Sequence, residues 1–511
     1  MKNIALLPLP NGRTHFFGEV WPLPENLTCA RGAFGRDAFE LLAERIGVPV
    51  SQGEKANLRA VRNAAFPAEA YRLRVSQARG IEMEAADERG LCWAAATLTQ
   101  LVRKEGLPLC DIMDAPRYAH RGILLDSARH FFPVETVKRL IERLSQVKIN
   151  TLHWHLTDDQ GWRVESKRFP RLHEQCAPAY YTQDEIRDIV AYAAKRGVEI
   201  VPEIDLPGHT STILTVYPEL GCRDEEIRLE TAPGIYSIIL CPGKEATFQL
   251  LLPLLEEIAS LFPSERFHLG GDEAPKGEWQ ACPHCRGRMR DEGLATAEDL
   301  QGWFTARLAD HMRGLGKRVC CWNESLKAAD LVQRIPDITI QHWAEMHEPG
   351  PSRRYWESGG PTIFSSYFST YLDLPHGTVP LKRIYGYGPP QEAINALGVE
   401  ACLWSELIPT PERLWVMAFP RAYALAEIAW TQAGRRDYAD FRRRLALWLA
   451  QSPGPGGTPP EKADPRGLER YRERFGYLSA MKNAPRPTNN AGVGGSLDPR
   501  FLLDWFKYYL A

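Results

Sequence analysis

Phe267-His268-Leu269-Gly270-Gly271-Asp272-Glu273 sets two adjacent carboxylates behind a short apolar strand and a pair of glycines. The glycines remove side chains where the backbone turns, so it can bend sharply and a bulky ligand can come close to it. Two carboxyls at the end of a buried element cannot both ionise easily. One is expected to be raised in pKa and to donate a proton near neutral pH, while the other stays charged. An Asp-Glu pair taken alone also reads as the cap of a following helix, so its surroundings decide.

Elements that could hold the pair are legible on both sides of it. From Arg121 onward the chain alternates strand and helix. Strands are expected at Ile123 to Leu125, Thr151 to Leu156, Glu199 to Ile204, Arg266 to Leu269, Arg318 to Trp322, Ile338 to Trp343, Thr362 to Ser365 and Val399 to Trp404. The clearest helix runs from Pro133 to Val147, with proline in the first turn and Val134, Val137, Leu140, Ile141, Leu144 and Val147 as its buried stripe. Similar patterns cover Asp184 to Ala194, Thr247 to Leu261, Ala297 to Leu315 and Pro411 to Ala429. The fold class is α/β, a (β/α)8 TIM barrel over residues 114–450. A small α+β domain precedes it over residues 1–113, where Tyr71 to Val75 and Ile81 to Ala85 alternate as a hairpin and Leu91 to Arg103 reads as a helix. Residues 451–511 form a short C-terminal extension: a Pro/Gly linker from Ser452 to Pro460, then a helical segment whose close, Phe501 to Leu510, is apolar on nearly every face. Such a segment is expected to dock on its own barrel or on a second subunit, so a homodimer is open.

Barrels of this kind place their chemistry at the C-terminal ends of the strands. Those positions hold Asp126 and Arg129, Asp158 and Asp159, Asp205 and His209, Asp272 and Glu273, Trp322 and Glu324, Trp343, Tyr367, Tyr371 and Asp373, and Trp404 and Glu406. Taken singly, His209 reads as a core histidine, Arg129 as a surface ion pair and the tryptophans as packing. Gathered on one rim, they suit a sugar: indole faces stack on a pyranose, and charged groups hydrogen-bond its hydroxyls. Glycoside cleavage needs an acid for the leaving oxygen and something to stabilise or trap the cationic carbon. Neighbours on one strand end cannot easily flank the bond from opposite faces, so a nucleophile supplied by the substrate itself is expected.

Composition excludes other classes. Among 511 residues the formal net charge is -2 and the pI about 6.7, which leaves no basic field for nucleic acid. No apolar stretch is long enough for a membrane span. Met1 to Pro10 is too short in its apolar part and too rich in proline for a secretory signal. Eleven cysteines, an odd number, are scattered through the chain and fit reduced thiols, so a cytoplasmic location is expected.

Leu125-Asp126-Ser127-Ala128-Arg129-His130-Phe131-Phe132, His153 to Arg163, Glu203 to Thr210, His268 to Glu273 and Leu403 to Glu406 resemble, in order, the successive motifs of glycoside hydrolase family 20, the β-N-acetylhexosaminidases. The likeness covers the whole barrel, and the N-terminal hairpin and helix resemble that family's non-catalytic domain. It implies an exo-acting, retaining hydrolase of terminal β-linked N-acetylhexosamine, working by substrate-assisted catalysis through an oxazolinium. Glu273 is then the acid and base, and Asp272 orients the acetamido group and stabilises the charge. Tyr371 is implied to bind the acetamido oxygen, and Trp322, Trp343 and Trp404 to wall the pocket. Arg129 and Glu406 are implied to hold the 3- and 4-hydroxyls and Asp373 the 6-hydroxyl, with Asp158 and His209 a relay behind Glu273. No cofactor and no metal is implied. The readings that compete are a non-catalytic protein that binds N-acetylated sugars and a thiol oxidoreductase.

The last of these rests on Cys282-Pro283-His284-Cys285, which lies outside the matched motifs. A Cys-x-x-Cys can be half a zinc site, a redox dithiol or a pair of free thiols. A second half is not evident, because Cys320-Cys321 lacks the usual spacing.

Overall fold

The computed structural model describes residues 5–30, 32, 34–223, 225–343, 350–451, 462–482 and 492–493. The linker at 452–460 and the apolar segment at 501–510 lie outside the described residues.

In the N-terminal domain the expected hairpin forms. Tyr71–Ser76 pairs antiparallel with Gly80–Ala85, from Tyr71 opposite Ala85 to Ser76 opposite Gly80. Gly80 takes φ +68 at the turn, a backbone that favours glycine. Alternation puts Leu73, Val75, Ile81 and Met83 under helix Glu88–Leu101, all buried. That helix begins where the Asp87 side chain accepts the Gly90 N–H. The hairpin is the middle of a seven-stranded sheet, whose other members are Thr14–Trp21, Leu27–Cys29, Val50–Gln52, Leu58–Arg62 and Leu107–Asp114.

A closed parallel barrel follows, in chain order His120–Asp126, Thr151–His155, Glu199–Glu203, Arg266–His268, Arg318–Trp322, Thr339–His342, Thr362–Phe364 and Ala396–Leu403. All eight coincide with the expected strands, within a few residues at the ends. Pro411 to Ala429, expected as one helix, is two: Pro411–Ala418 and Arg421–Trp430. Pro420 divides them, since it has no N–H to give and its ring clashes with the preceding turn. After the barrel come helices Tyr438–Gln451 and Gly467–Lys482. Glu473 of the second accepts the Gly377 N–H at 2.7 Å, which ties that helix to the loop after the seventh strand. No described helix is long and apolar enough to cross a membrane.

The two domains meet through buried charge. Lys148, from the turn before the second barrel strand, lies 2.9 Å from Asp114 and 2.8 Å from the Tyr71 hydroxyl of the N-terminal sheet. Its ammonium is 4.3 Å from the ring centre of Trp430, whose indole N–H donates to Asp114 at 3.0 Å. Beside it Arg121 of the first barrel strand pairs with Glu69, which also accepts from Asn150 and Trp93.

Candidate active site

Polar side chains fill the barrel interior below the rim. Glu203 on the third strand contacts His155, His153 at 3.2 Å and His268 at 3.0 Å. Glu400 on the eighth contacts His153 and His120, both at 2.8 Å. Burial raises the cost of ionising Glu203, but its three imidazoles outweigh that and hold it well below the usual carboxylate range. Burial likewise opposes protonation of His153, yet Glu400 and Glu203 push it up to about 9.

One layer higher, Asp158 gathers Arg129 at 2.8 Å, His155 at 2.9 Å and His209 at 3.2 Å. Against its burial, Arg129 and His209 keep Asp158 strongly acidic. Arg129 also reaches Asp126 at 3.1 Å and Glu406 at 3.3 Å, and lies 5.1 Å from the ring centre of Trp404. The other edge of His209 points at the pair that opened the sequence: Nε2 is 3.6 Å from Glu273 and 3.9 Å from Asp272. Asp158, His209 and Glu273 therefore stand in line, with the imidazole between the carboxylates.

The fourth strand ends at His268, and the chain then turns through Gly270 and Gly271 with φ +65 and +98. A Cβ on Gly270 would sit 1.7 Å from the Asp205 carboxylate, and one on Gly271 2.4 Å from the Ser325 hydroxyl. Only glycine fits, and the result is that Asp205 accepts the Gly271 N–H at 3.0 Å and packs under Asp272. Glu273 itself takes φ +43, which is uncommon and costly for a residue with a side chain.

Around Asp272 the acids lack the partners found below. Asp272 is raised well above the carboxylate range by burial, then by Asp205 and Glu273, with His209 opposing. Burial, with Glu203 adding to it and His209 opposing, pushes Asp205 to about 7; burial and Asp272 push Glu324 to about 8. Asp272, the deeper of the adjacent pair, is thus an acid that burial and its acidic neighbours raise. Asp373 is also pushed up, by burial and by Glu406. The Oδ1 atoms of Asp272 and Asp373 are buried with no hydrogen-bond partner among the described residues.

Aromatic rings close the opposite side. Trp404 lies 5.9 Å from Trp322 and 6.4 Å from Tyr371, and Trp343 6.3 Å from Tyr371 and 6.0 Å from Tyr367, centre to centre. Trp322 is the deepest, 1% exposed, with its indole N–H on Glu203 at 2.8 Å. The Trp343 indole donates to Glu324 at 2.8 Å. Every site residue singled out in the sequence therefore lies at this rim. Asp205, Glu324 and Tyr367 stood at strand ends in the sequence but received no role there; strand-end position was the signal for them. A separate cleft, lined by Glu69, His120, Glu199 and Arg266, lies between the domains at the barrel's other end.

Cys282 and Cys285 do not meet Cys320 and Cys321, which lie in the fifth strand. Their neighbours are Cys222 and Cys241.

The description "Glycosyl hydrolase family 20, catalytic domain" matches residues 118–433, and "Glycosyl hydrolase family 20, domain 2" matches residues 36–115. The chain belongs to glycosyl hydrolase family 20. It is 32% identical over 498 residues to a beta-hexosaminidase of Porphyromonas gingivalis, covering 87% of this chain and 62% of that one. To a beta-hexosaminidase of Vibrio furnissii it is 37% identical over 400 residues, covering 70% and 64%. The chain thus spans less than two thirds of the length of these two curated relatives. Among solved structures, the exo beta-N-acetylglucosaminidase of Vibrio harveyi in complex with N-acetylglucosamine superposes with a TM-score of 0.80 at 31% identity, over 89% of this chain and 78% of that one. The beta-N-acetylhexosaminidase of Bacteroides fragilis gives 0.80 at 32%, over 90% and 99%.

Proposed function

We propose that the protein is an exo-acting, retaining β-N-acetylhexosaminidase that removes terminal β-linked N-acetylglucosamine or N-acetylgalactosamine from glycans or glycoconjugates. The observation that carries this reading is the placement of Asp272 and Glu273: adjacent on one strand end, one deep among acids, the other at the mouth against His209. They address neighbouring atoms of one sugar, not opposite faces of one bond. Glu273 gives its proton to the glycosidic oxygen as the C1–O bond breaks, and the carbonyl oxygen of the 2-acetamido group closes on C1 to form an oxazolinium. Asp272 accepts the acetamido N–H. Asp272 reacts as the carboxylate, its proton lost to solvent before the C1–O bond breaks, and meets the positive charge that grows on the ring, so the attraction is stronger in the transition state than in the ground state. Glu273 then takes a proton from water as that water opens the ring at C1, and two inversions leave the configuration retained.

The other rim residues serve binding. Arg129 and Glu406 hold the 3- and 4-hydroxyls, Asp373 the 6-hydroxyl, and Tyr371 the acetamido oxygen. Trp322, Trp343 and Trp404 wall the pocket, and Asp158 acts on Glu273 through His209. No cofactor takes part in these steps. None of the eleven cysteines forms a disulfide, which supports a reducing, cytoplasmic setting. The assembly we propose is a homodimer; light scattering of the full-length chain tests it, and a monomer mass overturns it.

Hydrolysis of aryl β-N-acetylglucosaminide and β-N-acetylgalactosaminide, with a thiazoline mimic of the oxazolinium as inhibitor, tests the activity. The wild type should cleave, the thiazoline should block it, and Glu273→Gln should lose on the order of 10²–10⁴ in kcat/KM. A folded wild type that binds the thiazoline but turns over neither glycoside is a sugar-binding protein instead.

A further inference from the structure

Four cysteine sulfurs that are far apart in sequence converge beside the catalytic loops, all within 4.8 Å of one another: Cys222, Cys241, Cys282 and Cys285. The closest pairs are Cys241–Cys285 at 3.4 Å, Cys222–Cys285 at 3.7 Å and Cys241–Cys282 at 3.8 Å. These separations are far beyond a disulfide bond, which is about 2.05 Å. They match the edge of a tetrahedron of sulfurs around zinc, about 3.8 Å for Zn–S bonds of about 2.3 Å. Cys241, Cys282 and Cys285 are buried and Cys222 half-buried, so the centre they surround is largely shut off from water.

The backbone around them is built for this approach. Cys222 and Cys241 lie side by side because Gly221 bridges Leu240 and the Cys241 N–H reaches the Leu220 carbonyl at 2.8 Å. Cys282 caps helix Pro283–Asp291, Pro283 opens it, and Cys285 falls in its first turn. Between the halves, Gly243 presses on that turn: a Cβ there would fall 2.2 Å from the His284 carbonyl carbon and 2.4 Å from the Cys285 nitrogen. The bland alternative, cysteine as a small core hydrophobe, needs no sulfur to meet another.

We propose that these four cysteines bind one zinc ion as thiolates, their protons passing to solvent, in a closed structural site with no position left for water or substrate. Its place in the fold says what it holds. Cys222 and Cys241 belong to the long loop after the third strand, which carries His209; Cys282 and Cys285 follow the fourth strand, which carries Asp272 and Glu273. Leu240 links them directly, giving its N–H to the Pro207 carbonyl at 3.3 Å and accepting the Trp279 indole N–H at 2.9 Å. The ion is therefore a clamp between the loops that set His209 against the catalytic pair.

Elemental analysis of the purified full-length chain should find about one zinc per chain. Mercurial modification of the thiols should release it to a chromogenic chelator, and Cys222→Ser and Cys285→Ser should each retain at least tenfold less. Should those variants not fold, wild type reconstituted with cobalt(II) should show thiolate-to-metal charge transfer and the visible bands of tetrahedral cobalt. Wild type without stoichiometric metal, disulfides joining these cysteines, or zinc retained by Cys222→Ser overturns the proposal. These readouts do not depend on glycosidase activity, so this inference and the proposed function fail separately.

Discussion

Two layers of the barrel hold the same kinds of side chain and treat them oppositely. In the lower layer, Glu203 and Glu400 face imidazoles from several strands, and the acids stay ionised despite full burial. In the upper layer, Asp205, Asp272 and Glu324 crowd together, with His209 opposing the first two and His155 also opposing Asp205, and all three are pushed up. Burial is common to both, so what separates them is the count of cations within reach. In the lower layer each acid is matched by at least two imidazoles. Around Asp272 the acids outnumber the cations, and a ligand that develops positive charge there will be welcome.

The largest effect expected from breaking this contrast is in the lower layer. Glu203→Gln strips the acid shared by His153, His155 and His268 and should cost about 3–5 kcal/mol, read as a shift of the urea midpoint. If stability is unchanged, the network is not held by charge. In the upper layer Asp272→Asn should leave the fold intact while kcat/KM falls by on the order of 10²–10³, comparable to removal of one transition-state contact. The thiazoline should weaken in parallel; a variant with wild-type inhibitor affinity would show that Asp272 does not meet the charge. Asp205→Asn sharpens the comparison further. Losing that neighbour lets Asp272 ionise at lower pH, so the acidic limb of the kcat/KM profile should move down, and a limb that stays put assigns it to another group.

The smallest effect concerns the free protein. Glu324 titrates at about 8 when folded against about 4.3 unfolded, so the folded chain binds more protons in between. Its contribution to stability is therefore greatest at low pH and declines as pH rises toward about 8. Glu324→Gln should flatten that decline, seen as a smaller drop of thermal midpoint between about pH 5 and about pH 8. An equal drop in both proteins would mean that the site acids do not set it. His153 works in the same sense, since its folded pKa of about 9 gives stability that is lost as pH climbs through that value.

The barrel was legible because each strand is a short apolar run ending in polar residues, a local signal repeated along the chain. The rim residues followed from it by position. What sequence did not disclose is set by partners distant in the chain. Nothing near Asp272 says that Asp205 lies under it, so the prediction that one of the pair is raised did not say which. Cys222 and Cys241 carry no motif, since their spacing to Cys282 is decided by two loops folding together. The N-terminal strands beyond the hairpin are as short as Leu27–Cys29, too short to show a period, and only pairing defines them.

The Lys148 ammonium, enclosed by Asp114, Tyr71 and Trp430, bears on how the molecule can be divided. Its base is in the barrel, but its carboxylate ends the last strand of the preceding sheet. Cutting the chain between the two would strand a cation in an apolar wall. The barrel is thus no freestanding module to be grafted onto another scaffold: both parts must melt together, and any shortened or chimeric form has to keep the sheet with it.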